Sequence, residues 1–263
     1  MDENPVLSEV REGYRVITLN RPQRLNAFNG PMQKALVAAV ADAEQDGNCR
    51  ALLLTGNGRA FSSGQDLSER INAAGEVTLS GESLQKYYNP LVLKIRALPF
   101  PVVCAVNGIA AGVSCNIALA CDIVLAARSA SFLQPFAKLG IIPDGGGTWL
   151  LPRLVGQARA RGLSLLAEPL PAEKAEAWGL IWKVVDDAAL TAEAEKLCVH
   201  FSIAPTSGLA HIKRVLDAAE DNDLTTQLDL ERKTQREASS HPNYREGVQA
   251  FMQKRKPNFS GQR

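Results

Sequence analysis

Residues 102–122, VVCAVNGIAAGVSCNIALACD, constrain this chain more than any other stretch. The run VVCAV is β-branched and apolar, the pattern of a buried strand. Asn107-Gly108 turns it, small residues follow, and NIALACD resumes at helical spacing. A strand that runs through Gly and Ala into a helix aims main-chain N–H groups at whatever lies before the helix. It also adds the positive end of the helix dipole. Such a junction suits a developing negative charge. It equally suits close helix–strand packing, which also selects Gly and Ala.

Length and charge narrow the classes to consider. A chain of 263 residues accommodates one large domain, or a core with a smaller extension. With 46% hydrophobic and 22% charged residues it has the balance of an ordinary globular protein. Lys and Arg total 29 against 28 Asp and Glu, so net charge offers no reason to expect nucleic acid or an anionic membrane as partner. The start, MDENPVLSEV, is acidic and lacks the basic and apolar parts of a signal peptide. No apolar run approaches the roughly 20 residues of a membrane span. Five cysteines, odd in number and without a CxxC pair, predict reduced, buried thiols and a cytoplasmic protein.

Taken in order, the pattern predicts strands alternating with helices. Residues 6–10 and 14–19 alternate apolar and polar around Glu12-Gly13, a hairpin signature. Pro22 breaks the segment after it. Pro31 opens a helix carrying Met32, Leu36, Val40 and Ala43. Residues 51–56 form a buried strand, and the alternation implies a mostly parallel sheet covered by helices. The loop at 59–67 lies at the C-terminal end of that strand, where such sheets place ligands. Asp66 there is either a ligand-side carboxylate or a helix cap. Residues 71–81 read as a mobile surface segment and 83–98 as a helix closed by Pro99 and Pro101, with strands at 123–126 and 131–133. In the stretch LGIIPDGGGTW, three successive glycines signal special dihedrals or close contact, and Asp144 could cap the helix starting near Thr148. A short helix at 171–178 and a strand at 180–185 precede helices at 192–201, 205–219, 224–238 and 244–254. These divide the chain into an α/β core, residues 1–200, and a helical extension, residues 201–263.

The inventory of reactive side chains is short. His200, His211 and His241 all fall late, away from the Gly-rich loops, so a Ser-His-Asp hydrolase is unsupported. The chain has no GxSxG, GxGxxG or GxxxxGKS, and no His or Cys pair at metal-ligand spacing. Two N–H-rich turns and one carboxylate in a third remain. That set suits stabilising an oxyanion while a single acid or base moves a proton.

The segments NRPQRLNAF, RAFSSGQDL, AVNGIAAGVSCNIALACDIVLAA, LGIIPDGGGTWLLPRLVG and REGVQAFMQKRKPNF resemble, in order and across nearly the whole chain, the crotonase or enoyl-CoA hydratase/isomerase superfamily. The resemblance implies a ββα spiral core, and C-terminal helices that assemble as a homotrimer or a hexamer built as a dimer of trimers. It implies an acyl-CoA substrate and no cofactor besides, since coenzyme A belongs to the substrate. The thioester oxygen would take hydrogen bonds from the N–H groups of Gln65 and Val113. Coenzyme A would touch Arg24, Leu25, Ala27, Ser63, Gln65, Asp66 and Leu67, with Phe251 and Lys254 near its adenine end. No metal, nucleic acid or membrane is implied.

Departures from the family pattern point to a branch. Hydratases of the superfamily carry glutamates where this chain has Asn116 and Phe136, neither of which takes a proton. Asp144, eight residues after Phe136, falls in the slot that holds a catalytic aspartate in several isomerases and in a hydrolytic dehalogenase. The segments YNPLVLKI, FAKLGIIPDGGGTWLLPR, AEAWGLIWKVVDD and TQLDLERKTQREAS resemble the isomerase branch acting on ring-epoxidised aromatic acyl-CoA thioesters. On that resemblance Asp144 is the base, its pKa raised by burial and by the absence of a nearby cation. Tyr87, Tyr88, Asn116, Phe136 and Trp149 are expected at the acyl pocket, although the aromatic residues also fit ordinary core. Three alternatives remain: a hydratase; a dehalogenase, which needs a pocket histidine where none precedes His200; and a silent RNA-binding homologue, which the near-neutral charge disfavours.

Overall fold

A computed structural model describes residues 4–71, 74–78 and 81–259. Its strands are β1 (Val6–Arg11), β2 (Tyr14–Leu19), β3 (Leu52–Gly56), β4 (Ala60–Ser62), β5 (Val102–Val106), β6 (Ile109–Ala111), β7 (Ile123–Ala127), β8 (Ser131–Leu133), β9 (Leu170–Pro171) and β10 (Lys183–Val185). The helices are α1 (Gly30–Gln45), α2 (Asn89–Ala97), α3 (Val113–Leu119), α4 (Gly147–Leu166), α5 (Ala172–Ala177), α6 (Leu190–Ser202), α7 (Thr206–Ala219), α8 (Leu224–Ser240) and α9 (Pro242–Met252).

Two sheets organise the fold. The larger runs β1-β2-β3-β5-β7-β10, and the smaller β4-β6-β8-β9. β1 and β2 form the antiparallel hairpin that the alternation predicts, Val6 facing Leu19. From β2 onward the large sheet is parallel. Every residue of β5 is buried, which is why VVCAV is continuously apolar: a parallel strand covered on both faces has no polar side to show. β3, β5 and β7 are each followed by a short strand of the second sheet, and β6 runs on into α3. This two-strands-then-helix step is the ββα unit of the expected spiral.

β4 and β6 correct the sequence reading, which took residues 59–67 wholly as loop and 107–112 as a plain turn. Each has three residues, too few to display a period. Their neighbours on the small sheet, rather than any local preference, hold them extended, through Ala60↔Ile109 and Ala110↔Phe132. The N–H-rich junction therefore lies between β6 and α3, one strand later than the central strand itself.

The helices follow their spacing. α1 is capped by Asn29, whose Oδ1 accepts the Met32 N–H at 3.1 Å, and it buries Met32, Leu36, Val40 and Ala43. The expected helix over 83–98 begins with a widened turn, Leu84–Tyr88, in which the Asn89 N–H reaches back five residues to the Leu84 carbonyl. Residues 72, 73, 79 and 80 of the segment expected to be mobile lie outside the described residues. Around them, Ile71 bridges Val77 and the Thr78 N–H donates to the Arg70 carbonyl.

α6 ends at Ser202, so the helical extension begins in structural terms at α7. Lys213 of α7 donates to the Ile95 carbonyl at 2.9 Å and to Asp122 at 2.8 Å. Arg50, buried, binds the Thr206 hydroxyl and the carbonyls of Ala204 and Phe259. Ile212, Leu216, Leu228 and Phe251 are exposed on these last helices. None of the five cysteines forms a disulfide, and all five are buried. Among the described residues no helix is long and apolar enough to cross a membrane, and no group of His, Cys, Asp or Glu could hold a metal ion.

Candidate active site

Three loops converge where the small sheet meets α3. The first two are laced together main chain to main chain. The Ser63 N–H donates to the Leu25 carbonyl, the Phe28 N–H to Gly64 and the Asp66 N–H to Phe28, at 2.7–2.9 Å. Leu25 and Asn26 adopt left-handed dihedrals, which puts the Asn26 side chain underneath the loop. There its Nδ2 binds the carbonyls of Asn57 and Ala60, and its Oδ1 takes the Arg21 N–H. Arg24 is exposed and Ala27 buried, with the Ala27 N–H donating to the Arg24 carbonyl. Arg24, Leu25, Ala27, Ser63, Gln65, Asp66 and the half-exposed Leu67 thus form one continuous ledge.

That ledge meets the start of α3. β4 and β6 are parallel, with Ser62 beside Ala110. Ser114 Oγ, buried, donates to the carbonyls of Ser62 and Ala111 and binds the two turns together. The fit leaves no room for a side chain at Gly64, where a Cβ would lie 2.7 Å from the Ala111 oxygen. Gly112 precedes α3 at φ 59°, ψ −133°, a conformation that L side chains avoid. The Gln65 and Val113 N–H groups belong to the two turns joined in this way, and neither has an acceptor among the described residues. Phe136 packs over Gly112, 3.7 Å from where its Cβ would stand.

The third loop brings Asp144. A Cβ on Gly145 would lie 2.9 Å from Val113 Cγ2, so the loop rests directly on the first residue of α3. Gly146, not Asp144, is the N-cap of α4, with no side-chain cap, so the capping role open to Asp144 in the sequence is not the one it has. Its Oδ1 is buried without a hydrogen-bond partner. Burial pushes the carboxyl up to about 6, against a hydrogen bond from its own main-chain N–H and the charge of Arg70. The expectation that no cation would be near is corrected: Arg70 is near enough to pull the value down. Its guanidinium is turned toward Ser83 Oγ, at 2.7 Å.

Asp66 has the opposite surroundings. Burial pushes its carboxyl up, but hydrogen bonds from Ser68 and Arg21 outweigh that and hold it below the usual range. It caps the short 3-10 turn at Leu67–Arg70.

The five residues expected at the acyl pocket separate. Tyr88 is buried beside Gln65: its hydroxyl donates to Gln65 Oε1 at 2.5 Å and accepts from Gln33 Nε2 at 2.7 Å. Burial and the charge of Asp144 raise its phenol, with the Gln33 donor opposing. Phe136 also lies at the site. Tyr87, one residue from Tyr88, lies under Lys86 instead. Trp149 needs correction: it is clasped between the guanidinium groups of Arg96 and Arg153, 4.8 and 4.1 Å from its ring centre, in the groove between α4 and α7. Two surface cations over an aromatic face hold it there. Asn116 is corrected too. It is fully buried, its Nδ2 bound to the Asp144 carbonyl and its Oδ1 taking the Gln134 amide, so its polar atoms face protein. Phe251, in the last turn of α9, and Lys254, just beyond it, are exposed, and among the described residues no hydrogen bond or ion pair joins them to the Arg24 ledge.

Gln33, Arg70 and Gln134 escaped the sequence reading. Each is a polar residue in an otherwise unremarked element, and only Gln33 carried a signal, being polar between the apolar positions Met32 and Leu36.

Comparison with known proteins agrees with this geometry. Residues 9–262 match the family Enoyl-CoA hydratase/isomerase. The chain is 52% identical to the 1,2-epoxyphenylacetyl-CoA isomerase of Escherichia coli (strain K12), over 97% of this chain and 98% of that one. It is 45% identical to a probable enoyl-CoA hydratase of Rhodobacter capsulatus, over 99% and 100%. The crystal structure of an enoyl-CoA hydratase from Bacillus anthracis superposes with a TM-score of 0.89 at 30% identity, covering 98% of this chain and 100% of the other. With its spiral of ββα units, its paired N–H groups and these matches along its full length, the chain belongs to the enoyl-CoA hydratase/isomerase family of the crotonase superfamily.

Proposed function

We propose that the protein is an acyl-CoA isomerase converting 2-(1,2-epoxy-1,2-dihydrophenyl)acetyl-CoA to its oxepin isomer, and able to shift 3-enoyl-CoA to 2-enoyl-CoA. One observation carries the reading: the loop of Asp144, whose Oδ1 is buried without a partner, rests on the junction holding two N–H groups that lack acceptors among the described residues. The Gln65 and Val113 N–H groups bind the thioester oxygen. Asp144 takes a proton from the carbon beside the carbonyl, and the electron pair moves onto that oxygen as an enolate. Returning the proton two carbons further along completes the 3-to-2 shift with no net change in composition. A base near pKa 6 is suited to both halves, since it can take the proton and give it back near neutrality. This shuttle calls on no metal or redox cofactor beyond the coenzyme A of the substrate.

The ledge from Arg24 to Leu67 takes the nucleotide end of coenzyme A. The exposed apolar residues of α7–α9 are covered in a trimer or a dimer of trimers, with Phe251 and Lys254 brought to the adenine of a bound ligand. The five buried thiols support work in the reducing cytoplasm. The test is an activity panel of epoxyphenylacetyl-CoA, 3-enoyl-CoA and 2-enoyl-CoA, with light scattering at micromolar concentration. Isomerisation of the first two supports the reading. Hydration of 2-enoyl-CoA alone overturns it in favour of a hydratase, and a monomer overturns the assembly.

A further inference from the structure

A base in a glycine loop poses a physical problem: it must be held still, yet any donor placed on its carboxylate weakens it as a base. The Asp144 loop shows how the two demands are met. Gly145 and Gly146 beside Asp144 both have left-handed dihedrals, so local preference does not hold the loop. Among the described residues the carboxylate has no side-chain hydrogen-bond partner either. The fastening is on the main chain. The Asp144 carbonyl accepts the Gly147 N–H at 2.9 Å and Asn116 Nδ2 at 2.7 Å.

Asn116 is itself fixed in orientation. It is fully buried, and its Oδ1 accepts Gln134 Nε2 at 2.8 Å. Gln134 also reaches the Cys115 sulfur at 3.4 Å, while its own Oε1 is buried with no partner. The loop is pressed against the Asn116 amide so closely that a Cβ on Gly147 would lie 2.4 Å from Nδ2. A carboxylate at position 116 would set an oxygen against the Asp144 carbonyl oxygen at the 2.7 Å where the amide now donates.

We propose that Asn116, oriented by Gln134, is a positioning residue: it fixes the main chain of Asp144 so that the carboxylate stays bare, dry and aimed at the Gln65–Val113 pair. This rests on Asp144 being the base, and the experiment separates the two claims. Asn116→Ala, Asn116→Asp and Gln134→Met are compared with Asp144→Asn for kcat and KM on 3-enoyl-CoA at pH 8, with the full pH profile of kcat. A misplacement of about 1 Å costs roughly 10²-fold in rate, so Asn116→Ala should lose kcat on that order while KM changes little. Its acid limb should move to lower pH, because a loosened loop admits water to the carboxylate. Asn116→Asp keeps the shape without the donor and should do no better at pH 8. Gln134→Met should move both readouts the same way by less, and it decides the matter should the Asn116 variants fail to fold. A folded Asn116→Ala with normal kcat and an unmoved limb overturns the proposal. So does a rise in KM alone, which would mean direct contact with the acyl group, or an Asn116→Asp as active as wild type. Full turnover in Asp144→Asn would instead reject the base itself.

Discussion

Asp66 and Asp144 flank the same junction and have opposite fates. Each sits in a Gly-containing loop of the α/β core, and by sequence either could have been a cap or a catalytic group. Asp66 is saturated with donors: Arg21 at 3.1 Å, the Ser68 hydroxyl at 2.7 Å and the Ser68 N–H. Asp144 is more deeply buried and carries a bare oxygen, and that burial pushes its carboxyl up to about 6. Burial acts upward on both carboxyls, more strongly on Asp144. Depth of burial and donors together decide the sign. A carboxylate becomes a fastening where hydrogen bonds outweigh desolvation, and a base where they are withheld.

The sharpest way to break this contrast is to exchange each carboxylate for its amide. Asp144→Asn should reduce isomerase kcat by roughly 10²–10⁴-fold, the usual range for loss of an acid–base group, with acyl-CoA binding preserved. Asp66→Asn should keep most of its turnover. Comparable losses in the two variants would end the distinction. In the wild type, kcat should fall below about pH 6 as Asp144 becomes protonated, and Asp66 should leave no mark on that limb.

A second variant tests the donors rather than the base. Gly64→Ala places a Cβ 2.7 Å from the Ala111 oxygen at a residue with φ +90°, so the ledge and the start of α3 must separate. Removing one oxyanion donor costs about 10²–10³-fold in kcat, and displacement of Gln65 should approach the lower figure. Normal kcat in a crystal-verified, separated variant would show that these N–H groups do not stabilise the transition state.

Binding should respond on the Asp66 side alone. Arg24→Ala should raise KM for acyl-CoA several-fold, on the order of 1 kcal/mol, while leaving kcat nearly intact, the pattern of lost uniform binding. A fall in kcat at constant KM would place the ledge wrongly.

A further effect is on stability, and its sign differs between the two carboxylates. Burial pushes the Asp144 carboxyl up to about 6 in the folded state, above the ordinary aspartate value of 3.8, so the folded state holds its proton more tightly. Its charge therefore penalises folding above pH 6, progressively less toward pH 4, and not below. Asp144→Asn should gain stability on the order of 1–3 kcal/mol at pH 8 and nothing at pH 4. Asp66, held low, stabilises above its unfolded pKa and loses that contribution as pH falls through its folded one. Asp66→Asn should accordingly be less stable at neutral pH, with the deficit closing in acid. Equal shifts of melting temperature at both pH values would exclude ionisation as the cause.

Much of this was legible in the sequence because it was written in periods and punctuation. The hairpin, the buried run at β5 and the apolar stripe of α1 follow from patterns of two, one and nearly four. Pro22 and the glycines marked the loops that build the site. Three-residue strands such as β6 were not legible, since their conformation is imposed by neighbours far along the chain. The aromatic residues misled for a related reason. Trp149 and Tyr88 look alike as large apolar letters, yet Arg96 and Arg153 hold one at the surface while Gln33 and Gln65 hold the other in the site. Asn116 showed by its identity only what it could not do. What it does depends on a carbonyl 28 residues away.

The widened turn before α2 has a consequence of phase. A helix advances about 100° and 1.5 Å per residue, and the five-residue reach from Asn89 back to Leu84 accommodates one residue beyond the regular count. Everything upstream is therefore rotated by one step relative to α2, which follows Tyr88. Ser83, the partner of Arg70, stands at that upstream edge. Deleting the exposed Gln85 would restore a regular helix, turn Ser83 away and release the Arg70 guanidinium. The surplus residue thus acts as a timing offset for Ser83, the partner of a guanidinium whose charge reaches Asp144.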